Sequence, residues 1–504
     1  MHFSAGCLAV FLPLLFLMAC GKPALQVPQV HIIWSDCEGI SVASVDSHCG
    51  RFYPSPAQPA TYIGFAVLRP SKASASAVPV LYLSGGPGEG GNSLATTLNR
   101  WRFRLVDNDW QRPVVLLDSR GNEGAWGSFD CEAYRQLGIN QLAGRLGDAD
   151  DEERIAKNCL NHWQVQLANT GFEQFSAEQN ARDAMALMAA LKFEQWHLVS
   201  VSYGSRVAEW IQALAPTQVQ SLLLDSPYSW QQNTYAAKIA QWQTALERFF
   251  EDCAQAKVDC GGADIGQLFW LSIAQLDVKP LQLKYSLQGF TETALIDGAQ
   301  FAHLFFALLY DANNYSRLIP ALQAISLGEI APFQALVAPI ISASLRPGAS
   351  PWLYWLTECN DNQQFSLAQA EAQWQQLASL WQPLLRRDMG VSICHWVPTY
   401  IPLRAPERIT GHPGAPVATV ILAGAQDPVA SPSKSQDMAR ERQGVLLLAP
   451  QQGHGVLFDE VCGADWLEAY WQAPASFVAN PLSNGHNFGR CILSNYLSSL
   501  EPVH

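Results

Sequence analysis

The stretch Val199-Ser200-Val201-Ser202-Tyr203-Gly204 ends an apolar strand predicted at 197–201 and begins a helix predicted from about Tyr203. A serine in such a turn is exposed at the end of a sheet, beside the N-terminus of the helix. Its hydroxyl becomes nucleophilic when a neighbouring base takes its proton. The usual pattern for this turn is G-x-S-x-G, and here Ser200 replaces the first glycine. Ser202 is therefore the candidate nucleophile, with an ordinary strand–helix turn as the alternative.

Strands and helices alternate on both sides of this turn. Short apolar runs that end in Gly, Pro or Ser predict strands at 62–68, 78–83, 114–117 and 222–224. Ser176 and Gln179 have the spacing of a capping box, and the apolar residues that follow recur at helical intervals, which predicts a helix. Nearly all-apolar strands that alternate with helices favour a parallel sheet covered on both faces.

The alternation stops at about residue 231 and returns after residue 400. Residues 244–250 and 365–384 are predicted to be helical, and no strand pattern repeats between 231 and 400. Apolar strands predicted at 417–422 and 444–448 then complete the sheet. The predicted fold class is therefore α/β, with a mostly parallel central sheet and helices on both faces. Its core comprises 30–230 and 401–504, and 231–400 form a helical cap insertion.

A glycine-rich loop follows the strand predicted at 78–83. In Ser84-Gly85-Gly86-Pro87-Gly88 the glycines can present backbone N–H groups toward a developing oxyanion. The N–H of Tyr203 together with that of Gly85 or Gly86 would form an oxyanion hole. A flexible loop and a phosphate cradle are the alternatives, but the lysine of the P-loop pattern is missing.

Two candidate partners of the serine follow the last two predicted strands, in the order acid and then histidine. Asp427 comes after the strand at 417–422, and His454 comes after the strand at 444–448. Asp427 would orient the imidazole, and His454 would take the proton of Ser202 and return it to the leaving group. Each could instead be an ordinary turn carboxylate or loop histidine. His486 is the reserve base and Asp225 the reserve acid.

The N-terminus has the features of an export signal. Eleven residues, 8–18, form an apolar run that is too short to span a membrane. The ending Leu17-Met18-Ala19-Cys20 resembles a bacterial lipobox, so 1–19 are predicted to be removed, Cys20 to be lipidated and 20–29 to form a linker. Glycine at position 21, directly after the cysteine, resembles the sequence of lipoproteins that are sorted to the outer membrane. This predicts a Gram-negative outer-membrane lipoprotein facing the periplasm. Met18 and the absence of Lys or Arg before the apolar run keep simple secretion open.

The cysteine count fits an oxidising compartment. Of 12 cysteines, Cys7 leaves with the signal and Cys20 takes the lipid, which leaves an even ten. Spacing does not decide their connectivity. Pairing neighbours in the sequence gives Cys37 with Cys49, Cys131 with Cys159, Cys253 with Cys260, Cys359 with Cys394, and Cys462 with Cys491. A zinc site is the alternative, but the CxxC and clustered Cys/His spacings of zinc sites are missing.

Composition excludes two classes of protein. With 504 residues, 49% apolar and 15% charged, the chain can bury a large core and is not intrinsically disordered. The net charge of −13 and the lack of a Lys/Arg run argue against a nucleic-acid partner. Nothing in the sequence suggests a metal or an organic cofactor, and the oligomeric state stays open.

With these residues in hand, the chain resembles the α/β-hydrolase superfamily, and within it the prolyl and tripeptidyl aminopeptidase branch. The resemblance covers nearly the whole mature chain, including the cysteine-bearing segment 34–49 and Glu358-Cys359-Asn360-Asp361. Its motifs, beyond Asp427 and His454 themselves, are Gly85-Gly86-Pro87-Gly88, Asp118-Ser119-Arg120-Gly121, Ser202-Tyr203-Gly204, Leu224-Asp225, Gly424-Ala425-Gln426-Asp427-Pro428-Val429 and Gly453-His454.

The resemblance implies an α/β-hydrolase fold and a serine exopeptidase that acts on peptides with a free N-terminus beneath a helical cap. Glu358 and Asp361 are the candidates to pair with the substrate's ammonium group, and solvated loop charges are the alternative. Arg120 is expected to be structural. Two other functions stay open. A carboxylic-ester hydrolase would use the same residues and ignore N-acetylation of its substrate. A lipoprotein that binds a ligand without catalysis is the other alternative, because Ser200 stands where the active pattern has glycine.

Overall fold

A computed structural model of the chain describes residues 31–496, with internal gaps. The gaps are 38, 40, 55–60, 88–93, 123–124, 126–128, 146–148, 168–173, 230–233, 259, 261–262, 348–350, 363–366, 378, 386–393, 395–416, 460 and 484. The predicted signal 1–19, the lipidation candidate Cys20, the linker 20–29 and Gly88 lie outside the described residues.

A ten-stranded sheet forms the centre of the molecule, in the order β1-β2-β3-β5-β4-β6-β7-β10-β11-β12. The six strands from β5 to β11 in this order are mutually parallel. Their buried side chains are mostly apolar, which is the pattern of a sheet covered on both faces. The strands are β1 (His31–Ser35), β2 (Val45–Tyr53), β3 (Ile63–Pro70), β4 (Val80–Leu83), β5 (Val114–Leu117), β6 (Trp196–Val201), β7 (Val219–Asp225), β10 (Thr419–Gly424), β11 (Val445–Ala449) and β12 (Ile492–Asn495).

Helices cover both faces of this sheet, which confirms the predicted α/β class. One face packs on α1 (Leu94–Asp107), α15 (Asp465–Gln472) and α16 (Pro474–Ala479), in a core that includes Trp101 and Trp466. The other face packs on α4 (Ala177–Ala190), α5 (Gly204–Leu214) and α14 (Pro432–Glu441).

Helix α4 begins where the capping-box spacing predicted. The Ser176 side chain accepts a hydrogen bond from the backbone N–H of Gln179 at 3.2 Å. In the second turn of the helix, Asp183 accepts two hydrogen bonds from Arg120, from Nε at 2.5 Å and from Nη2 at 2.7 Å. Both side chains are buried, so Arg120 joins the loop after β5 to α4 and has the structural role expected for it.

The elements between residues 234 and 385 add no strand to the central sheet among the described residues, and they form the cap. Their shared core is built from phenylalanine, leucine and isoleucine side chains. The cap helices are α6 (Thr234–Ala254), α7 (Ile265–Val278), α8 (Gly298–Leu308), α9 (Tyr315–Ser326), α10 (Ala331–Leu345), α11 (Pro351–Asp361), α12 (Leu367–Gln376) and α13 (Gln382–Leu385). Residues 244–250 lie within α6, and the described part of 365–384 is divided between α12 and α13. Outside the cap, α2 (Glu132–Leu142) and α3 (Ala149–Leu167) precede α4.

The expectation that 231–400 contain no strand pattern is wrong. A hairpin of β8 (Leu281–Leu287) and β9 (Phe290–Ile296) lies within the cap. Along β8, buried Leu283, Tyr285 and Leu287 alternate with exposed side chains, as in a half-buried strand. Gln288 and Gly289 between the strands both have positive φ, 52° and 84°. This alternation and the Gln-Gly turn are the local signals that the sequence reading missed.

Five disulfides join the ten cysteines in the pairs given by sequence neighbours, with Cα–Cα distances of 5.0 to 6.0 Å. The pair Cys359–Cys394 links α11 to the residues that follow α13. Within the described part of the chain, each helix taken alone is too short or too polar to cross a bilayer. The two helical segments Ala312–Ser326 and Ala331–Leu345 are together long and apolar enough for a membrane span, but the chain bends by 118° between them.

Candidate active site

Ser202 lies in a sharp turn between β6 and α5, where the backbone tolerates few residues. Its φ is +53°, a left-handed conformation that costs a non-glycine residue on the order of 1–3 kcal/mol. A Cβ on Gly204 would lie 2.2 Å from the Leu83 carbonyl oxygen, so only glycine fits there. Ser200 is fully buried, and its hydroxyl donates to Ser205 Oγ at 3.3 Å. The serine in place of the first glycine is therefore accommodated within the turn.

The residues predicted for the oxyanion hole surround Ser202. A Cβ built on Gly85 would lie 3.0 Å from Ser202 Cβ and 3.8 Å from its Oγ, so the glycine loop passes directly beside Ser202. Gly85, Gly86 and Ser202 line the same cavity. Tyr203, next in the chain, precedes the first residue of α5, where backbone N–H groups lack partners within the helix. Backbone donors from both segments are thus available at one place.

Asp427 and His454 form a hydrogen-bonded pair at the ends of β10 and β11. His454 Nδ1 donates to Asp427 Oδ2 at 2.8 Å, and the Asp427 side chain is fully buried. The other carboxylate oxygen, Oδ1, accepts from the backbone N–H groups of Val429 at 2.9 Å and Ala430 at 2.7 Å. With its proton on Nδ1, the imidazole keeps Nε2 as an acceptor. The pair therefore has the orientation that a general base requires.

The cap holds the histidine loop by its main chain. The backbone N–H of His454 donates to the Tyr310 carbonyl oxygen at 2.9 Å, just beyond the end of α8. A Cβ on Gly453 would lie 2.4 Å from that same oxygen, so the loop and the cap are in direct backbone contact. From α6, Arg248 Nη2 donates to the Asp427 carbonyl oxygen at 2.5 Å. Two cap segments therefore position the acid–histidine pair.

A cavity of about 590 Å³ between the sheet and the cap contains Ser202 and His454 in its wall. Its volume is in the range of small-molecule and short-peptide sites. Aromatic side chains from the cap form one wall, and backbone of the glycine loop forms another. Its other lining residues include Tyr82, Arg100, Asp225, Tyr228, Trp242, Phe306, Tyr310, Asp311, Tyr354, Phe458 and Asp459.

The reserve residues have other partners. Asp225 Oδ1 accepts from the N–H of Val456 at 2.9 Å, and its Oδ2 accepts from that of Leu457 at 2.7 Å, so Asp225 anchors the segment after His454. Burial raises the pKa of Asp225 to about 6, against the lowering effect of these hydrogen bonds. His486 packs on the Phe477 ring at 5.4 Å and is not among the residues lining the cavity. The geometry therefore favours Asp427 and His454.

Glu358 and Asp361, near the end of α11, belong to a buried cluster behind the cavity wall. We call Tyr203, Arg206, Tyr228, Glu358 and Asp361 the elbow cluster. Tyr203 OH donates to Asp361 Oδ2 at 2.8 Å, and Tyr228 OH donates to Glu358 Oε2 at 2.7 Å. Arg206 lies over the Tyr228 ring at 4.1 Å, and its Nη1 is 3.7 Å from Asp361 Oδ2. Neither carboxylate lines the cavity directly, and neither is a solvated loop charge.

Burial dominates the protonation of this cluster. It raises the pKa of Asp361 to about 6, with Arg206 acting in the opposite direction. Burial and the adjacent Asp361 raise the pKa of the Tyr203 phenol well above its usual value, so the hydroxyl keeps its proton. The sequence predicts a role only for the backbone of Tyr203 and none for Tyr228 or Arg206. Their contacts to α11 join residues more than 100 positions apart, so no local signal marks them.

The described residues contain no group of three or more His, Cys, Asp or Glu side chains arranged to hold a metal ion.

Comparison with known proteins places these observations in a family. The family model described as alpha/beta hydrolase fold matches residues 78–461, more than half of the chain. No curated protein sequence matches the chain.

Among solved structures, an esterase from Thermogutta terrifontis is 13% identical, with 83% of this chain and 94% of that chain covered and a TM-score of 0.31. A 2-hydroxy-6-oxo-6-phenylhexa-2,4-dienoate hydrolase from a Rhodococcus species is 12% identical, with 89% and 98% covered and a TM-score of 0.33. A proline iminopeptidase from Mycobacterium smegmatis is 13% identical, with 83% and 94% covered and a TM-score of 0.32.

Proposed function

Because the chain belongs to the α/β-hydrolase family, we propose that it is a serine hydrolase, and specifically an aminopeptidase that removes N-terminal residues from peptides. The observation that carries the serine assignment is geometric. Ser202, at a positive-φ turn, shares a cavity with His454, whose Nδ1 is bound to buried Asp427. This combination is what activation of a serine hydroxyl requires.

The proposed reaction proceeds through an acyl-enzyme. Nε2 of His454 takes the proton of Ser202 while Oγ attacks the substrate carbonyl carbon, and the oxyanion is stabilised by N–H groups of Tyr203 and of Gly85 or Gly86. His454 then gives that proton to the leaving amine as the C–N bond breaks. Water attacks the ester in the second half, again with His454 as base, and releases the N-terminal fragment and free Ser202.

The elbow cluster supports an aminopeptidase over an ester hydrolase. The cluster holds two carboxyl groups, Glu358 and Asp361, and one guanidinium, that of Arg206, so it has one acidic group in excess. Glu358 Oε1 is buried and has no hydrogen-bond partner, although Oε2 has two. Tyr228 separates Glu358 from the cavity, which places this acidic group one side chain behind the wall. A substrate ammonium group at that wall would be attracted, and a neutral ester would gain nothing.

We also propose that the protein is exported and anchored by a lipid on Cys20, facing the periplasm. Five disulfides support an oxidising compartment, because such bonds are rare in proteins kept in a reducing cytosol.

The test is hydrolysis of a fluorogenic panel by the purified mature protein, with Ser202→Ala as control. The panel contains prolyl, alanyl and tripeptidyl amides, their N-acetylated forms and short acyl esters. We expect cleavage of free-amine amides that requires Ser202 and disappears on acetylation. Ser202-dependent turnover of esters alone would make the protein an ester hydrolase. Turnover that survives Ser202→Ala would refute the nucleophile.

A further inference from the structure

The residue after the nucleophile is bound to the cap through its side chain. We infer that Asp361 is a positioning residue: by accepting a hydrogen bond from the Tyr203 hydroxyl, it fixes the backbone N–H of Tyr203, the proposed oxyanion donor. The inference rests on the proposed function as far as Ser202 is the nucleophile and the Tyr203 N–H is an oxyanion donor, and it does not depend on the substrate class.

Tyr203 has no freedom to move independently of the turn. Its side chain is buried, and its neighbour Gly204 touches the backbone of β4 so closely that a Cβ would lie 2.2 Å from the Leu83 carbonyl oxygen. On its other side, the N–H of Ser202 donates to the Asp225 carbonyl oxygen at 2.9 Å. The Tyr203 side chain is therefore held rigidly relative to the turn. Loss of the hydrogen bond at its hydroxyl is expected to shift the backbone of the turn.

Asp361 is itself held by the core of the protein. The backbone N–H of Ala177, the first residue of α4, donates to Oδ1 at 3.1 Å and to Oδ2 at 3.3 Å. A carboxylate at a helix N-terminus is favoured by the helix dipole. Arg206, from the first turn of α5, is 3.7 Å away. One carboxylate thus joins the cap helix α11, the start of α4 and the residue next to the nucleophile.

This arrangement predicts an effect on the rate constant rather than on substrate affinity. Asp361 and the Tyr203 hydroxyl are not part of the cavity lining, so their loss removes no contact with the substrate. Complete loss of one oxyanion donor costs about 10²- to 10³-fold in kcat. A donor that is displaced but present should cost less, about 10- to 100-fold.

The experiment compares Tyr203→Phe, Asp361→Ala, Asp361→Asn and the double variant Tyr203→Phe/Asp361→Ala. Tyr470→Phe is the matched control, since it removes a buried hydroxyl that donates to the Leu222 and Ala418 carbonyl oxygens, away from the cavity. Two rates are measured for each protein. The first is the rate of phosphonylation of Ser202 by a fluorophosphonate, which needs no knowledge of the substrate. The second is the turnover of the best panel substrate, from which kcat and KM are obtained. The melting temperature is recorded in parallel.

We expect Tyr203→Phe and Asp361→Ala each to slow both reactions about 10- to 100-fold, with KM within about threefold of the wild type for Tyr203→Phe, which keeps both carboxylates of the elbow cluster. The double variant should be no slower than the slower single variant, since both remove one hydrogen bond. Asp361→Asn, which keeps an acceptor oxygen, should recover most of the rate. Tyr470→Phe should lower the melting temperature without changing either rate.

Wild-type labelling rates in Tyr203→Phe and Asp361→Ala would overturn the inference while leaving the serine hydrolase intact. Multiplicative losses in the double variant, or losses that follow the melting temperature and also appear in Tyr470→Phe, would reduce Asp361 to a stabilising role. A wild-type protein that is not labelled at Ser202 would overturn both the inference and the proposed function. Tyr203→Phe alone decides the question if Asp361→Ala does not fold.

Discussion

The raised pKa of Asp361 predicts a specific dependence of stability on pH. Burial raises the pKa of this carboxyl from 3.8 to about 6. Between these values the folded protein holds a proton that the unfolded chain has released, so the free energy of unfolding falls as the pH rises. The contribution is fully present below pH 3.8 and is lost once the pH passes 6. A shift of about two units corresponds to about 3 kcal/mol.

Asp361→Asn removes this titration and keeps an oxygen acceptor for the Tyr203 hydroxyl. The free energy of unfolding of the variant minus that of the wild type should therefore increase by about 3 kcal/mol as the pH rises from 4 to 7. The difference in free energy of unfolding is measured by urea denaturation of the mature protein with intact disulfides, at pH 4, 5, 6 and 7. Tryptophan fluorescence reports the transition.

The carboxyl does not titrate alone, because Glu358, Arg206 and the phenols of Tyr203 and Tyr228 lie beside it. The comparison of variant with wild type cancels the groups far from Asp361, so the difference reports Asp361 together with these neighbours. Asp437→Asn, a change at an exposed carboxylate of α14, is the control and should differ from the wild type by a constant amount. A constant difference for Asp361→Asn as well would refute the argument that burial controls this group.

Three further outcomes are expected. His454→Ala should lower kcat at least 10³-fold, because the general base is lost, whereas His486→Ala should leave kcat on the same amide substrate unchanged; near-normal rates in His454→Ala would transfer the base role to His486. Glu358→Gln should raise KM for free-amine amides and leave KM for N-blocked esters as it is, measured on matched substrates, and equal effects on both would exclude amine recognition. Cys20→Ser should move the protein from the membrane to the soluble fraction on ultracentrifugation, and continued membrane association would argue against a lipid on Cys20.

The parts of the site that the sequence predicted are those with a local signal. Ser202 follows a strand and precedes a helix, while Asp427 and His454 each follow an apolar strand, so parallel-sheet geometry brings the three loops to one edge. The boundaries of β5 and the face of α4 were predictable for the same reason, because short apolar runs and helical spacing are read over a few residues.

The elbow cluster could not be predicted in this way. The hydrogen bond from Tyr203 to Asp361 crosses 158 positions, and the one from Tyr228 to Glu358 crosses 130. The sequence around Glu358 and Asp361, beside Cys359, contains no pattern that distinguishes a solvated loop from a buried hydrogen-bond network. The β8–β9 hairpin is a different case, since its alternation was visible but lay within a long region dominated by helical spacing.

The contact between His454 and the carbonyl of Tyr310 limits how this enzyme can be redesigned. The backbone N–H of His454 donates a hydrogen bond to the cap, and at Gly453 the histidine loop and the cap segment are in direct backbone contact. A transplanted cap would have to reproduce that carbonyl to within the tolerance of a hydrogen bond. Changes of substrate preference are better sought at Trp242 and Phe306, whose side chains face the cavity and leave this junction intact.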